Sequence, residues 1–107
     1  MTKEKIHPSS GNVFADLGIP KPQQYLAKAE LAAKILQIVQ RRRFTQSAAG
    51  KLLGITQPKV SALLNGRLEG FSTDRLIRFL NALGCDVRIT VSKPHPRKAG
   101  KVKVSSG

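Results

Sequence analysis

The sequence has few of the residues from which disulfides, metal sites and membrane segments are built. Its single cysteine, Cys85, excludes an internal disulfide. With only His7 and His95 as further ligands, it leaves too few side chains for a zinc site. No apolar run approaches the roughly 18 residues that span a bilayer. The first twenty residues also lack the continuous apolar stretch of a signal peptide. We therefore expect a cytoplasmic protein with no metal, no cofactor and no membrane contact.

Acidic residues are scarce as well. Asp and Glu number 6 against 19 Lys and Arg, for a net charge of +13. Such an excess favours a polyanionic partner, and nucleic acid ahead of an anionic membrane surface. The 40% share of hydrophobic residues can support a compact core. With one Tyr, four Phe and no Trp, however, no set of aromatics is arranged to stack bases, which disfavours an RNA-binding role.

Catalytic groups do not come together in the sequence either. Asp16, Asp74 and Asp86 have no paired carboxylate at a workable spacing. Ser47 and Ser61 have no histidine within reach along their segment. The single cysteine begins an apolar alternation that is typical of inert core. We predict that the protein is not an enzyme.

The segment from Thr45 to Arg67, TQSAAGKLLGITQPKVSALLNGR, predicts two short helices joined by a tight turn. Thr45 is a good N-cap for the first helix, and Gly54 can adopt the positive φ that ends it. Thr56 then caps the second helix. Pro58 is tolerated there because N–H groups in a first turn have no intrahelical partner.

The second of these helices has two different sides. Val60, Leu63 and Leu64 fall on one side at helical spacing and predict core. The opposite side is small, polar and uncharged, with Lys59 flanking it. That composition suits a major groove, where a Gln side chain can contact adenine and a methyl group can contact thymine. The outer residues are Gln57, Pro58, Ser61 and Ala62.

A long helix is predicted from Pro22 to Arg43, apolar over more than half its circumference. Such a helix is covered on two sides, by its own core and by the N-terminal arm or a second subunit. One stripe contains Tyr25, Ala29, Ala32, Leu36 and Val39, and the other Leu31, Ile35 and Ile38. The helix ends with Arg41-Arg42-Arg43, whose positive charge is favourable at the negative end of the helix dipole. The same arginines are equally suited to contact phosphates.

After the two short helices, Ser72 or Thr73 caps a further helix that runs through Leu83, with Ile77 outside its buried face. Apolar residues then alternate with polar ones from Cys85 to Ser92, which predicts a strand. A lone strand must pair. We favour the same strand of a second molecule, antiparallel on a two-fold axis, and leave a toxin or the N-terminal arm as alternatives. The predicted dimerisation residues are Ile77, Val87, Ile89 and Val91.

The flanks divide the chain into three parts. Residues 1–20 form a flexible N-terminal arm, whose apolar turn docks on its own domain or on a partner. Residues 21–92 form the domain with its dimerisation strand, and residues 93–107 form a disordered basic tail. The apolar turn contains Val13, Phe14, Leu17 and Ile19.

The chain resembles the Xre/Cro-like helix-turn-helix family in its Thr45-Gln46 pair, its Leu53-Gly54-Ile55 turn and its Asn65-Gly66-Arg67 loop. It is most similar to HigA-like antitoxins. That similarity lies in NVFADLG (12–18), LAKAELA (26–32), QPKVS (57–61) and LNALGCDV (80–87).

The resemblance implies a mainly α, lambda-repressor-like bundle of about five helices, with one C-terminal strand paired across a homodimer. It implies a repressor that binds an inverted-repeat operator in double-stranded DNA at its own promoter. As an antitoxin it would also bind a small ribonuclease toxin; the alternative is a stand-alone or phage-like regulator. Gln46 would bind a DNA phosphate, and Asn65 and Arg67 would contact the DNA backbone. The full predicted DNA-binding set is Gln46, Thr56, Gln57, Pro58, Lys59, Ser61, Ala62, Asn65 and Arg67.

Two departures from the family pattern matter. The family usually has a bulky polar pair at the positions of Pro58 and Ala62, so this chain should rely more on DNA shape. Gly50 stands where the family usually has Ala. Gly50 permits close approach of the two short helices but costs about 1 kcal/mol of helix stability.

Overall fold

The computed structural model describes residues 21–105, and within that range the fold is mainly helical. About five helices are predicted, and this range contains four; the N-terminal arm lies outside the described residues. The helices are α1 (Lys21–Arg41), α2 (Gln46–Leu53), α3 (Gln57–Leu64) and α4 (Thr73–Ala82).

Side-chain caps begin three of the helices where local chemistry predicts them. Thr45 Oγ1 accepts a hydrogen bond from the Ala48 N–H at 3.0 Å and so begins α2. Thr56 Oγ1 accepts from the Lys59 N–H at 3.4 Å and begins α3. At α4 the cap is Ser72, whose Oγ accepts from the Arg75 N–H at 3.2 Å. These bonds satisfy N–H groups that the helices themselves cannot satisfy.

One hydrophobic cluster joins the four helices. Its largest fully buried members are Ile35 from α1, Leu63 from α3, Leu76 from α4 and Leu83 just beyond α4. On α1 the core face includes members of both predicted stripes, Ala32 and Val39 of the first and Leu31 and Ile35 of the second. Tyr25, which heads the first stripe, is 58% exposed. The i, i+4 row through Ala27, Leu31, Ile35 and Val39 is therefore the row that α1 turns toward the core.

The predicted strand Cys85–Val91 is not confirmed, because residues 21–105 contain no strand ladder. Cys85 and Val87 are half-buried and pack against the cluster, but Ile89 is 66% and Val91 90% exposed. Pairing is a property of two segments, and an alternating segment without a paired neighbour is only extended chain.

The end of the described chain returns to α1. The Val102 N–H donates to Gln23 Oε1 at 3.1 Å, and Val104 packs against the hydrophobic cluster. The disorder of residues 93–107 stays a prediction, and these two contacts mark where the basic segment meets the domain.

Gly50 is expected to be essential to the packing of α2 on α3. A Cβ at this position would lie 2.7 Å from the Ile55 carbonyl oxygen and 3.3 Å from Val60 Cγ2. We expect Gly50→Ala to lower the free energy of unfolding by about 1–3 kcal/mol, because the turn must shift to admit the methyl group. This loss should outweigh the roughly 1 kcal/mol that alanine gains in helix propensity.

Chemical denaturation of both Gly50→Ala and Ala48→Gly tests this expectation. Ala48 is exposed on the same helix, so its replacement reports propensity without crowding. If Gly50→Ala proves more stable than the wild type, the close approach does not limit packing.

Candidate nucleic-acid interface

The turn between α2 and α3 is held by one carbonyl group. The Gly50 carbonyl accepts hydrogen bonds from the Gly54 N–H at 2.8 Å and from the Ile55 N–H at 3.0 Å. Gly54 takes a φ of +74°, a left-handed conformation that glycine adopts without steric cost. The predicted pair of helices with a tight turn is confirmed, and the turn sets the position of α3 on α2.

The inner side of α3 is fixed in the core and its beginning is exposed. Val60 and Leu63 are buried, as predicted. Gln57, Pro58 and Lys59 are exposed together in the first turn. The helix therefore presents its N-terminal end to solvent on a rigid support.

Ser61 and Ala62 are less exposed than their predicted place on the outer side of α3 implies. Both are half-buried, and Ala62 packs against the hydrophobic cluster. Of the predicted site residues on α3, only those in its first turn are thus fully exposed. Leu64, predicted as core, is half-buried and packs against the same cluster.

The remaining predicted contacts flank this exposed turn. Gln46 is half-buried at the beginning of α2, and Thr56 is exposed beside Gln57. Asn65 and Arg67 are exposed in the turn after α3. Asn65 Nδ2 donates to the Ser61 carbonyl at 2.8 Å, so part of its side chain fixes the end of α3. The Arg67 N–H donates to the Ala62 carbonyl at 2.9 Å, which orders the backbone of that turn.

The arginines that follow α1, Arg42 and Arg43, lie in different environments. Arg42 lies near Gly84, just beyond α4: its Nη2 would be 4.0 Å from a Cβ added at that glycine. Arg43 is exposed and has a φ of +56°, a left-handed conformation that is costly for a residue with a Cβ. The Phe44 N–H donates to the Val39 carbonyl at 3.0 Å across this residue, which closes the end of α1. Glycine would fit this position better, so the arginine side chain there requires an explanation.

Two basic residues that the sequence analysis does not assign also lie beside α3. A concavity of about 570 Å³ between α2, α3 and α4 is lined by Gln57 and Lys59 and also by Lys51 and Arg75. Arg75 follows its cap by three residues and so stands in the first turn of α4. A cation is electrostatically disfavoured near a helix N-terminus. The arginine at this position of the sequence could therefore have indicated a role in binding an anion.

Residues 21–105 offer neither a metal site nor a helix that could span a membrane. In this range, no group of three or more His, Cys, Asp or Glu side chains could hold a metal ion. None of the four helices is long and apolar enough to cross a membrane.

The comparisons with known proteins agree with this geometry. Residues 13–92 match a family model described as a helix-turn-helix domain. A solved structure described as a proposed XRE family transcriptional regulator is 44% identical in sequence, and the match has a TM-score of 0.77. That match covers 82% of this chain and 100% of the other. The comparison with curated proteins gave no match.

Proposed function

The chain belongs to the XRE family of helix-turn-helix proteins, and we propose that it is a sequence-specific DNA-binding repressor of transcription. The observation that carries the proposal is the exposed first turn of α3, Gln57–Lys59, on a helix whose other side is buried. A side chain on so rigid a support can meet a base edge without a large loss of conformational freedom.

Within this surface, the proposed residues divide mainly into those that contact bases and those that contact phosphates. Gln57 is suited to hydrogen-bond adenine in the major groove, and Pro58 and Ala62 offer apolar contact to a thymine methyl group. Lys59, Gln46 and Arg67 contact phosphates and position the domain. Thr56, Ser61 and Asn65 complete the proposed DNA-contacting set.

We propose that the repressor is a homodimer. Ile89 and Val91 are exposed apolar side chains that follow half-buried Val87 along an extended segment, and Ile77 is half-buried on α4. Antiparallel pairing of this segment with its copy would cover the exposed side chains. A two-fold axis would also place two α3 helices about one DNA turn apart, ~34 Å, on an inverted-repeat operator.

Nuclease protection of DNA from upstream of the protein's own gene tests the proposed function. We expect two protected half-sites related by a two-fold axis, with centres ~34 Å apart or at a multiple of that spacing. A reporter that reads from this promoter should lose expression when the protein is present. Uniform protection without half-sites, or an unchanged reporter, would contradict the proposal.

We further propose that the repressor is the cytoplasmic antitoxin of a type II toxin–antitoxin pair. Its support is the similarity of the four sequence segments to HigA-like antitoxins. Co-expression with the product of the neighbouring reading frame should give a stable complex and relieve growth inhibition by that product. A neighbouring product that neither binds nor inhibits growth would favour the stand-alone regulator.

Arg43 is expected to trade stability for DNA affinity. Arg43→Gly should raise the free energy of unfolding by about 1 kcal/mol, because glycine adopts a positive φ without strain. It should also weaken binding to all DNA sequences and lower the slope of log K against log salt by about 0.9, as one phosphate contact is lost.

Arg43→Ala is the matched control, because it removes the charge and keeps the strained backbone. It should match Arg43→Gly in DNA binding and show no gain in stability. Wild-type DNA affinity and salt slope in both variants would show that Arg43 is not a phosphate contact.

A further inference from the structure

We infer that a DNA backbone phosphate binds in the concavity between α2, α3 and α4, where Lys51 and Arg75 hold it together with Lys59. This site depends on the proposed DNA binding and adds two contacts from outside the exposed turn of α3. Each of the three helices contributes one cation to the lining of the concavity.

The location of the concavity connects it to the proposed DNA surface. Gln57, the proposed base-contacting residue, lines it, and so do Ser47 and Thr56 from the beginnings of α2 and α3. A phosphate in the concavity would therefore lie beside a base that Gln57 contacts. No Asp or Glu is among the lining residues, so no carboxylate there competes with a bound anion.

Two of the three basic side chains, Lys59 and Arg75, lie against aromatic rings. Arg75 Cζ lies 5.4 Å from the centroid of the Phe71 ring and 5.5 Å from that of Phe79. Lys59 Nζ lies 5.7 Å from the Phe71 centroid. Arg75 Nη1 also donates to the Gly70 carbonyl at 3.3 Å. These contacts restrict the two cations before any ligand arrives, which reduces the ordering entropy of binding.

Two of these cations also stand at helix beginnings, where the backbone itself favours an anion. Lys59 and Arg75 each follow the helix cap by three residues, at the positive end of a helix dipole. Two cations that share one ring also repel each other. A phosphate would offset both effects, and the guanidinium of Arg75 matches its oxygens in geometry.

The test compares Arg75→Gln and Lys51→Gln with Arg78→Gln, which alters an exposed arginine of the same helix that does not line the concavity. The probe is a duplex that the wild type selects from a random-sequence library. We expect Arg75→Gln and Lys51→Gln each to weaken binding about eightfold at ~0.1 M salt and to lower the salt slope by about 0.9. Arg78→Gln should keep the wild-type slope, and Arg75→Lys should restore it.

Replacing single phosphates of the probe by neutral methylphosphonates locates the contact. At one position in each half-site, the methylphosphonate should weaken binding by the wild type. The same methylphosphonate should not weaken binding by Arg75→Gln any further, because that variant already lacks the contact. If Arg75→Gln and Arg75→Lys lower the melting temperature and both keep the wild-type slope, Arg75 is structural and the inference is overturned.

The remaining outcomes separate this inference from the proposed function. A wild type that selects no duplex overturns the proposed function. A wild type that binds its duplex, while Arg75→Gln behaves like Arg78→Gln, overturns the phosphate site alone. Calorimetry with inorganic phosphate forms the last arm. Tight binding without DNA that Arg75→Gln abolishes would assign the concavity to a small phosphorylated ligand and overturn its assignment to DNA.

Discussion

Replacing Ile89 with proline is expected to convert the proposed dimer into a monomer and to weaken operator binding on the order of 100-fold. Proline removes a backbone N–H that the paired strand would donate, and it removes an apolar side chain from the same contact. Ile89 is 66% exposed and lies outside the buried core, so the helices should remain folded. The loss of affinity follows because each separated half binds a half-site without the other.

Sedimentation velocity at tens of micromolar protein measures the fraction of the protein that is dimeric, and circular dichroism measures the helical content. Lys98→Pro is the matched control, because it places a proline in the exposed segment beyond the predicted strand. The control should stay dimeric. A wild type that is monomeric at this concentration, or an Ile89→Pro variant that still dimerises, would rule out the strand-paired dimer.

The second large effect is expected at Gln57. Gln57→Ala should remove hydrogen bonds to a base and cost about 1–3 kcal/mol at the cognate site, with little change in binding to unrelated DNA. Gln57 is exposed at the beginning of α3, so the variant should fold with nearly unchanged stability.

Arg67→Ala provides the contrasting control in the same competition assay. Arg67 is proposed to contact phosphate, so its loss should weaken all sequences alike and lower the salt slope by about 1. If Gln57→Ala keeps the operator preference of the wild type, Gln57 is not the base-contacting residue.

The ends of the short helices could be predicted because they depend on neighbours in the sequence. Thr45, Gly54 and Thr56 act through hydrogen bonds or dihedral angles within a few residues, and each occupies the predicted position. The buried side of α3 was predictable for a similar reason, since the polar first turn left only one apolar side.

The core face of α1 was harder to predict because apolar residues cover most of its circumference. Periodicity alone cannot decide which members of two apolar stripes meet the core. Leu31 and Val39 come from different stripes and are both buried, whereas Tyr25 is exposed. The choice is made by α4 and α3, which pack on α1 from distant parts of the chain.

Contacts over long sequence distances account for the rest. The hydrogen bond from Val102 to Gln23 joins residues 79 positions apart, and no local sequence pattern predicts it. The alternation after Cys85 is a real feature of the segment, but a ladder requires a second segment. The stacking of Arg75 on Phe71 and Phe79 likewise becomes visible only once α4 and the loop before it are placed.

The most direct test of sequence-specific binding through α3 is a ratio of two Kd values measured in the same salt. One is for the duplex that the wild type selects from a random library, and the other is for a duplex of the same composition in shuffled order. We predict a ratio of about 10³ or more, as is typical of specific DNA-binding proteins. A ratio near one would show that the basic surface binds DNA by charge alone and would contradict the role proposed for α3.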